Sequence, residues 1–178
     1  MTIGHSTLPI EVFVAALNDS GCELLVDVRR YPGSRRHPQF GQVSLFASLA
    51  EAGIQGVWRE GLGGRRKARP DSVNTGWRNE AFRGYADYMQ TAEFKAEIDW
   101  LIEQVARRSV VVMCAEAVPW RCHRSLIADA VLARGAAAQD IFVTPQGSST
   151  RKPHVLNGFA RTEGGRVWYP VGAGDLFG

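Results

Sequence analysis

The feature that most constrains this chain is the alternation of short apolar runs with helix-period segments. "CELLVDV" (residues 22–28) is a short apolar run bounded by glycine and charge, and "SVVVMCA" (109–115) is the clearest one, with three β-branched residues in succession. Runs of this kind read as strands buried on both faces. "IQGVW" (54–58) and "AAAQDIFVT" (136–144) supply two more strands, and residues 1–4 a very short first one. Between them, "PIEVFVAALNDSG" places Ile10, Phe13, Val14 and Leu17 on one helical face, with Gly21 as a stop. "SLFASLAEAG", "NEAFRGYADYMQ", "AEFKAEIDWLIEQVARR" and "CHRSLIADAVLARG" read as further helices. The order β-α-β-α-β-α-α-β-α-β predicts an α/β fold. It is a single-domain, doubly wound, mostly parallel sheet of about five strands with helices on both faces. Residues 1–145 are expected to form this unit. Residues 146–178, rich in Gly and Pro, are expected to be an irregular tail packed on it, around a short hairpin near "GGRVWYP".

Length and composition agree with a globular protein. A chain of 178 residues can bury a sizeable core. No apolar stretch reaches the roughly 18 residues of a membrane span, and "MTIGHSTLPI" lacks the basic and apolar regions of a secretory signal. Cys22, Cys114 and Cys122 form no disulfide framework. These features lead to the expectation of a reduced, cytoplasmic protein without a membrane partner. Charge is unevenly placed: residues 29–83 hold ten arginines and Lys67 against Glu51, Glu60, Asp71 and Glu80. Arginine suits bidentate phosphate contacts and stacking on rings. Residues 59–78 form a long polar loop, of a kind that is often functional or mobile.

In open parallel sheets a site forms beyond the carboxyl ends of the strands, where strand order reverses. Reactive residue types collect at three such ends. "GHST" follows the first strand; Asp27, Arg29, Arg30 and Tyr31 follow the second; Cys114, Glu116, Arg121, Cys122, His123 and Arg124 follow the fourth. "TIGHST", "DVRRYPGSRRHPQF", "LGG", "YADYM" and "CAEAVPWRCHRSLIAD" occur in that order. With these motifs, residues 1–145 resemble the DUF488 family of uncharacterised bacterial and archaeal proteins. The matching positions run from His5 and Ser6 through Asp27, Arg29, Pro32, Ser34 and Arg35. They continue through Gly63, Gly64, Tyr85, Cys114 and Glu116 to Cys122, His123 and Arg124. The resemblance brings no assigned activity; DNA-repair labels borne by some members are a hint of a nucleic-acid connection.

Four readings of "CAEAVPWRCHR" follow from its residues. A thiol-dependent rhodanese or phosphatase would use Cys114 before a helix N-terminus. Six residues separate Cys114 from Arg121, where a phosphatase loop wants five, and Glu116 and Pro119 are ill suited to an anion cradle. A metal site could draw on Cys114, Cys122, His123 and His5. Adjacent Cys122 and His123 would point about 100° apart on a helix, so no metal and no cofactor is expected. Cys114 could simply be a small buried residue ending a strand. The fourth reading is an anion or nucleotide pocket at the N-terminus of a helix beginning near Arg121 or Cys122. Arg121 and Arg124 would share a face there, with Ser6 and Thr7 as caps or phosphate donors.

That fourth reading uses the most residues, and it leads. It is an enzyme on a nucleotide or nucleic acid, with hydrolysis or glycosidic-bond chemistry. Glu116, Asp27 and His5 form the acid–base set. Ser6, Arg29, Arg35, Arg121, His123 and Arg124 hold the anion, and Tyr31 and Trp120 contact a base. Of the other rings in the basic region, Trp58 and Trp77 are stacking candidates, whereas Phe82 and Tyr88 suit a core stripe. A non-catalytic nucleic-acid-binding module is the remaining alternative.

Overall fold

The structure is a computed structural model, and it describes residues 1–33 and 36–171. It is α/β. Strands β1 (Thr2–Gly4), β2 (Leu24–Asp27), β3 (Gln55–Trp58), β4 (Val110–Cys114) and β5 (Gln139–Val143) are parallel, and β6 (Ser149–Pro153) joins β5 antiparallel at the edge. The spatial order is β3-β2-β4-β1-β5-β6. Helices α1 (Ile10–Asp19), α2 (Gln42–Glu51), α3 (Glu80–Tyr88), α4 (Ala92–Val105) and α5 (Arg124–Ala133) connect the parallel strands.

The core divides into two layers as the pleat requires. Along β4, Val110, Val112 and Cys114 face one way and pack with Tyr85 of α3, Phe94 and Ile98 of α4, and Leu126 and Ile127 of α5. Val111 and Met113 face the other way and pack with Phe13 and Leu17 of α1 and Leu45 and Leu49 of α2. Alternate residues of one strand therefore bury on opposite faces, which is why the run reads as uninterrupted apolar sequence.

Strand order locates a switch point. From β1 the chain passes over β4 to β2 and on to β3, with its helices on the α1/α2 face. From β4 it passes over β1 to β5, with α5 on the other face. Neighbours β2, β4 and β1 thus send their chains away on opposite faces, and a crevice opens beyond their carboxyl ends.

The C-terminal segment departs from expectation in one respect. Residues 149–153 are the sixth strand, not irregular chain. Four of the five side chains are polar and most are exposed, as an edge strand allows. The hairpin near "GGRVWYP" is present: β7 (Arg161–Glu163) and β8 (Arg166–Trp168) meet through Gly164 and Gly165, both at positive φ (56° and 76°). Two consecutive positive φ angles define the tight hairpin turn that matches strand twist.

A buried ionic network ties this segment to the sheet. His154 reaches Asp140 Oδ2 with Nδ1 (2.8 Å) and Asp129 Oδ1 with Nε2 (3.0 Å). Thr2 donates to Asp140 (2.5 Å) and Tyr169 to Asp129 (2.7 Å). An imidazole that donates from both nitrogens is an imidazolium. Burial opposes that charge, but the two carboxylates prevail and raise the His154 pKa from 6.5 to about 9. A raised folded-state pKa gives stability that is complete below pH 6.5 and lost as pH climbs through about 9. The effect is on the order of 2 kcal/mol once screening by nearby solvent is discounted. Melting temperatures should therefore fall between pH 6.5 and 9.5 in the parent protein and much less in His154→Gln. Parallel slopes in the two proteins would contradict the assignment.

The long loop 59–78 is firmly anchored. Buried Asp87 on α3 accepts from the Arg69 amide (2.8 Å), the Ser72 hydroxyl (2.5 Å) and Asn74 Nδ2 (2.8 Å), and Asn74 Oδ1 in turn accepts from the Tyr169 amide (2.9 Å). Among the described residues no helix is long and apolar enough to cross a membrane.

Candidate functional site

A cleft of about 520 Å³ opens at the switch point, lined by chain from all three strand ends. His5, Ser6 and Thr7 come from β1, Arg29, Tyr31, Gly33, Arg36 and His37 from the loop after β2, and Ala115–Ala117 from the loop after β4. The β1 and β4 exits stay zipped past the strand ends, with the His5 amide donating to the Cys114 carbonyl (3.0 Å) and the Ser6 amide to Ala115 (2.9 Å). This approach requires Gly4: a Cβ there would lie 1.8 Å from the Glu116 carbonyl oxygen. Ser6 then turns at a positive φ of 46°. The first residue of α1 follows Pro9, and no side chain caps the helix. Ser6 and Thr7 are therefore not its caps; both line the cleft instead.

His5 is 3% exposed and held on three sides. Its ring stacks on Phe40 (4.1 Å between centroids, 19° between planes). Nδ1 lies 2.9 Å from the Ser6 carbonyl, and Nε2 lies 3.5 Å from Arg29 Nη1. Nδ1–H donation to the carbonyl leaves the Nε2 lone pair toward the arginine. Burial, and then the Arg29 charge, lower the His5 pKa to about 4, so the ring is neutral near pH 7.

Asp27 and Arg29 form a buried brace. Arg29 donates to Asp27 through Nε (2.9 Å) and Nη2 (2.6 Å), and through Nη1 to the Phe40 carbonyl (2.8 Å). The Asp27 carboxylate is fully buried and also accepts from the Arg29 amide (3.0 Å). Asp27 thus lies behind the cleft and positions Arg29, whose charge it balances. Arg124 has a similar office. It is 1% exposed and donates to the carbonyls of Glu116 and Ala117, so it shapes the loop carrying Glu116 and is not open to an anion. Glu116 itself is exposed, and it is the one carboxylate lining the cleft among the described residues.

Other expected members lie elsewhere. Trp120 and Arg121 are exposed on a 3₁₀ turn (Pro119–Arg121), with Trp120 against Phe142 of β5, and neither lines the cleft. Arg121 and Arg124 share no face, because one is exposed and the other buried. His123 is turned into the α3–α5 layer, where it packs on Tyr85 (4.9 Å) and approaches the Cys114 and Cys122 sulfurs. Cys114 is 7% exposed and faces that same layer. A hydrogen bond from Cys122 lowers its pKa and raises that of Cys122. Trp77 packs with Phe82, Phe159 and Tyr169, and Trp58 donates its indole N–H to the Arg29 carbonyl (2.9 Å), so neither is an open stacking platform. Tyr31 is one: it is 66% exposed at the cleft, with the Arg65 guanidinium 5.5 Å from its ring centre. Arg35 lies outside the described residues. Sequence reasoning missed His37 and Phe40; the available signal was an apolar ring, Phe40, beside a histidine in an otherwise polar, proline-containing loop.

Fold and cleft define a doubly wound α/β protein with a polar crevice at its switch point, lined by two arginines and one glutamate. The family described as "Domain of unknown function DUF488" matches residues 9–131, and the chain belongs to that family. The matched span takes in Asp27, Arg29, Glu116 and the Cys114–His123 segment, and it begins after "GHST". No curated protein and no solved structure matches the chain.

Proposed function

We propose that the cleft binds a phosphate-bearing ligand, a nucleotide or a stretch of nucleic acid, and that Glu116 supplies acid–base chemistry toward hydrolysis of a phosphate or glycosidic bond. The observation that carries this reading is the lining: the Arg29 edge, Arg36 and two hydroxyls meet one carboxylate in a crevice at the sheet's switch point. Arg36 is exposed on the wall, and Ser6 and Thr7 offer O–H donors beside it. Tyr31 gives a ring on which a base can stack. His5, neutral and fixed, acts as an uncharged hydrogen-bonding group. Acid–base work therefore falls to Glu116, since Asp27 is committed to Arg29. The thiol reading gains nothing from the cleft, because Cys114 faces the opposite layer.

The test is fluorescence anisotropy with a labelled single-stranded oligonucleotide across salt concentrations. Contacts to about two phosphates give a log–log slope near −1.4, and Arg36→Ala lowers its magnitude by about 0.7. Glu116→Gln keeps the binding and slows turnover by about 10²–10⁴. Binding without turnover in the parent protein would leave a binding module. Absence of binding to oligonucleotide and nucleotide at low salt would end the proposal.

A further inference from the structure

Across β4 from the cleft lies a cluster that the proposed chemistry does not use. Sγ of Cys114, Sγ of Cys122 and a ring nitrogen of His123 all lie within 4.8 Å of one another. His123 Nδ1 is 4.0 Å from Cys114 Sγ and 3.8 Å from Cys122 Sγ. We propose that Cys114, Cys122 and His123 form a zinc-binding site.

Three independent features favour a metal over plain thiol packing. The first is the histidine's orientation. Nε2 lies 3.1 Å from the Val28 carbonyl. Donation from Nε2–H fixes the tautomer and leaves the Nδ1 lone pair toward both sulfurs, the arrangement in which ligating histidines are held. The second is space. The chain passes the ring at Gly64, where a Cβ would lie 2.8 Å from Nδ1. Glycine thus keeps the region beside the ligating nitrogen free of a side chain. The third is local backbone. Cys122 is extended (φ −136°, ψ 140°), between the 3₁₀ turn and α5, so it escapes the 100° divergence that a helix would impose on adjacent residues. Cys122 and His123 can then converge on Cys114 at the end of β4.

Chemistry selects the ion. Two thiolates and an imidazole are soft-to-borderline donors suited to zinc. Bonds of about 2.3 Å to sulfur and about 2.0–2.1 Å to nitrogen, at a tetrahedral angle, place N and S about 3.5 Å apart. The observed separations close to that value with shifts of a few tenths of an ångström. Binding releases one proton from each thiol. Two thiolates, a neutral imidazole and Zn²⁺ sum to zero charge, which is what an apolar layer accepts most readily. The Tyr85 hydroxyl is engaged with the Leu62 carbonyl (2.8 Å), and no fourth His, Cys, Asp or Glu joins the cluster among the described residues. The fourth position is left for water or another small ligand.

Titration of the reduced, metal-free full chain with Co²⁺ tests this. One equivalent should develop a thiolate-to-cobalt charge-transfer band and the intense visible bands of a tetrahedral centre, and Zn²⁺ should displace them. Cys122→Ser and His123→Ala should each weaken binding about 100-fold, and Cys22→Ser should leave it unchanged. Zinc-edge X-ray absorption on the parent protein should give a shell of two sulfurs with nitrogen, a readout that needs no variant to fold. The absence of a charge-transfer band with both thiols reduced, a zinc shell without sulfur, or a spectrum unchanged in folded Cys122→Ser would overturn the proposal. Oligonucleotide binding at the cleft is a separate measurement, so either reading can fail without the other.

Discussion

Asp27→Ala should cost about 3–5 kcal/mol of stability. The substitution strips the partner from a guanidinium that is 6% exposed, and a buried charge left unpaired is among the most expensive defects a core can hold. Three Arg29 donors lose their acceptor: Nε, Nη2 and the backbone amide. The remaining contacts, to the Phe40 carbonyl and His5, cannot balance the charge. Asp27→Asn keeps an acceptor but not the charge and should fall between. Urea denaturation measures both. A loss below about 1 kcal/mol in the alanine variant would mean that Arg29 escapes to solvent and that the brace does not shape the cleft.

Gly4→Ala should be comparably severe for a different reason. Its Cβ would sit 1.8 Å from the Glu116 carbonyl oxygen and 3.1 Å from Ala117 Cα. Both are main chain, so no rotamer change relieves the clash. The β4 exit must move by more than about 1 Å, in a core packed closely enough that overpacking alone costs about 1–3 kcal/mol. The move also breaks the zipper from His5 to Cys114 and from Ser6 to Ala115, and disturbs the carbonyls held by Arg124. Further loss of about 1 kcal/mol per bond follows. The variant should lose stability and ligand binding together, because the displaced loop is the wall carrying Glu116. A variant that melts and binds like the parent would show that the wall is loose.

How far the sequence spoke depended on whether burial left a pattern. β2 and β4 were legible because both faces are covered, so nearly every position had to be apolar. β6 was not, because "STRKP" is an exposed edge strand whose order comes from backbone pairing with β5. The place of the cleft followed from which strand ends carry reactive residues. Individual roles did not follow, because they turn on contacts across the chain. Arg124 has the chemistry of an anion ligand, but its guanidinium is held by the carbonyls of Glu116 and Ala117. Asp27 has the chemistry of a catalytic acid, but its carboxylate is taken up by the Arg29 guanidinium. Cys122 and His123 looked divergent only under the assumption that the helix begins at Cys122; it begins at Arg124. The Asp129–His154–Asp140 network left no trace in spacing, since its members lie on α5, β5 and the chain just beyond β6.

On the proposed reading, the crevice beyond β1, β2 and β4 is where a phosphate-bearing ligand binds. Amide chemical-shift mapping during titration with a short single-stranded oligonucleotide tests it most directly. The largest perturbations should gather on Ser6, Thr7, Arg36 and Glu116, and in Arg36→Ala they should need a higher oligonucleotide concentration. Perturbations confined to the basic loop 59–78, or no perturbation at low salt, would contradict it.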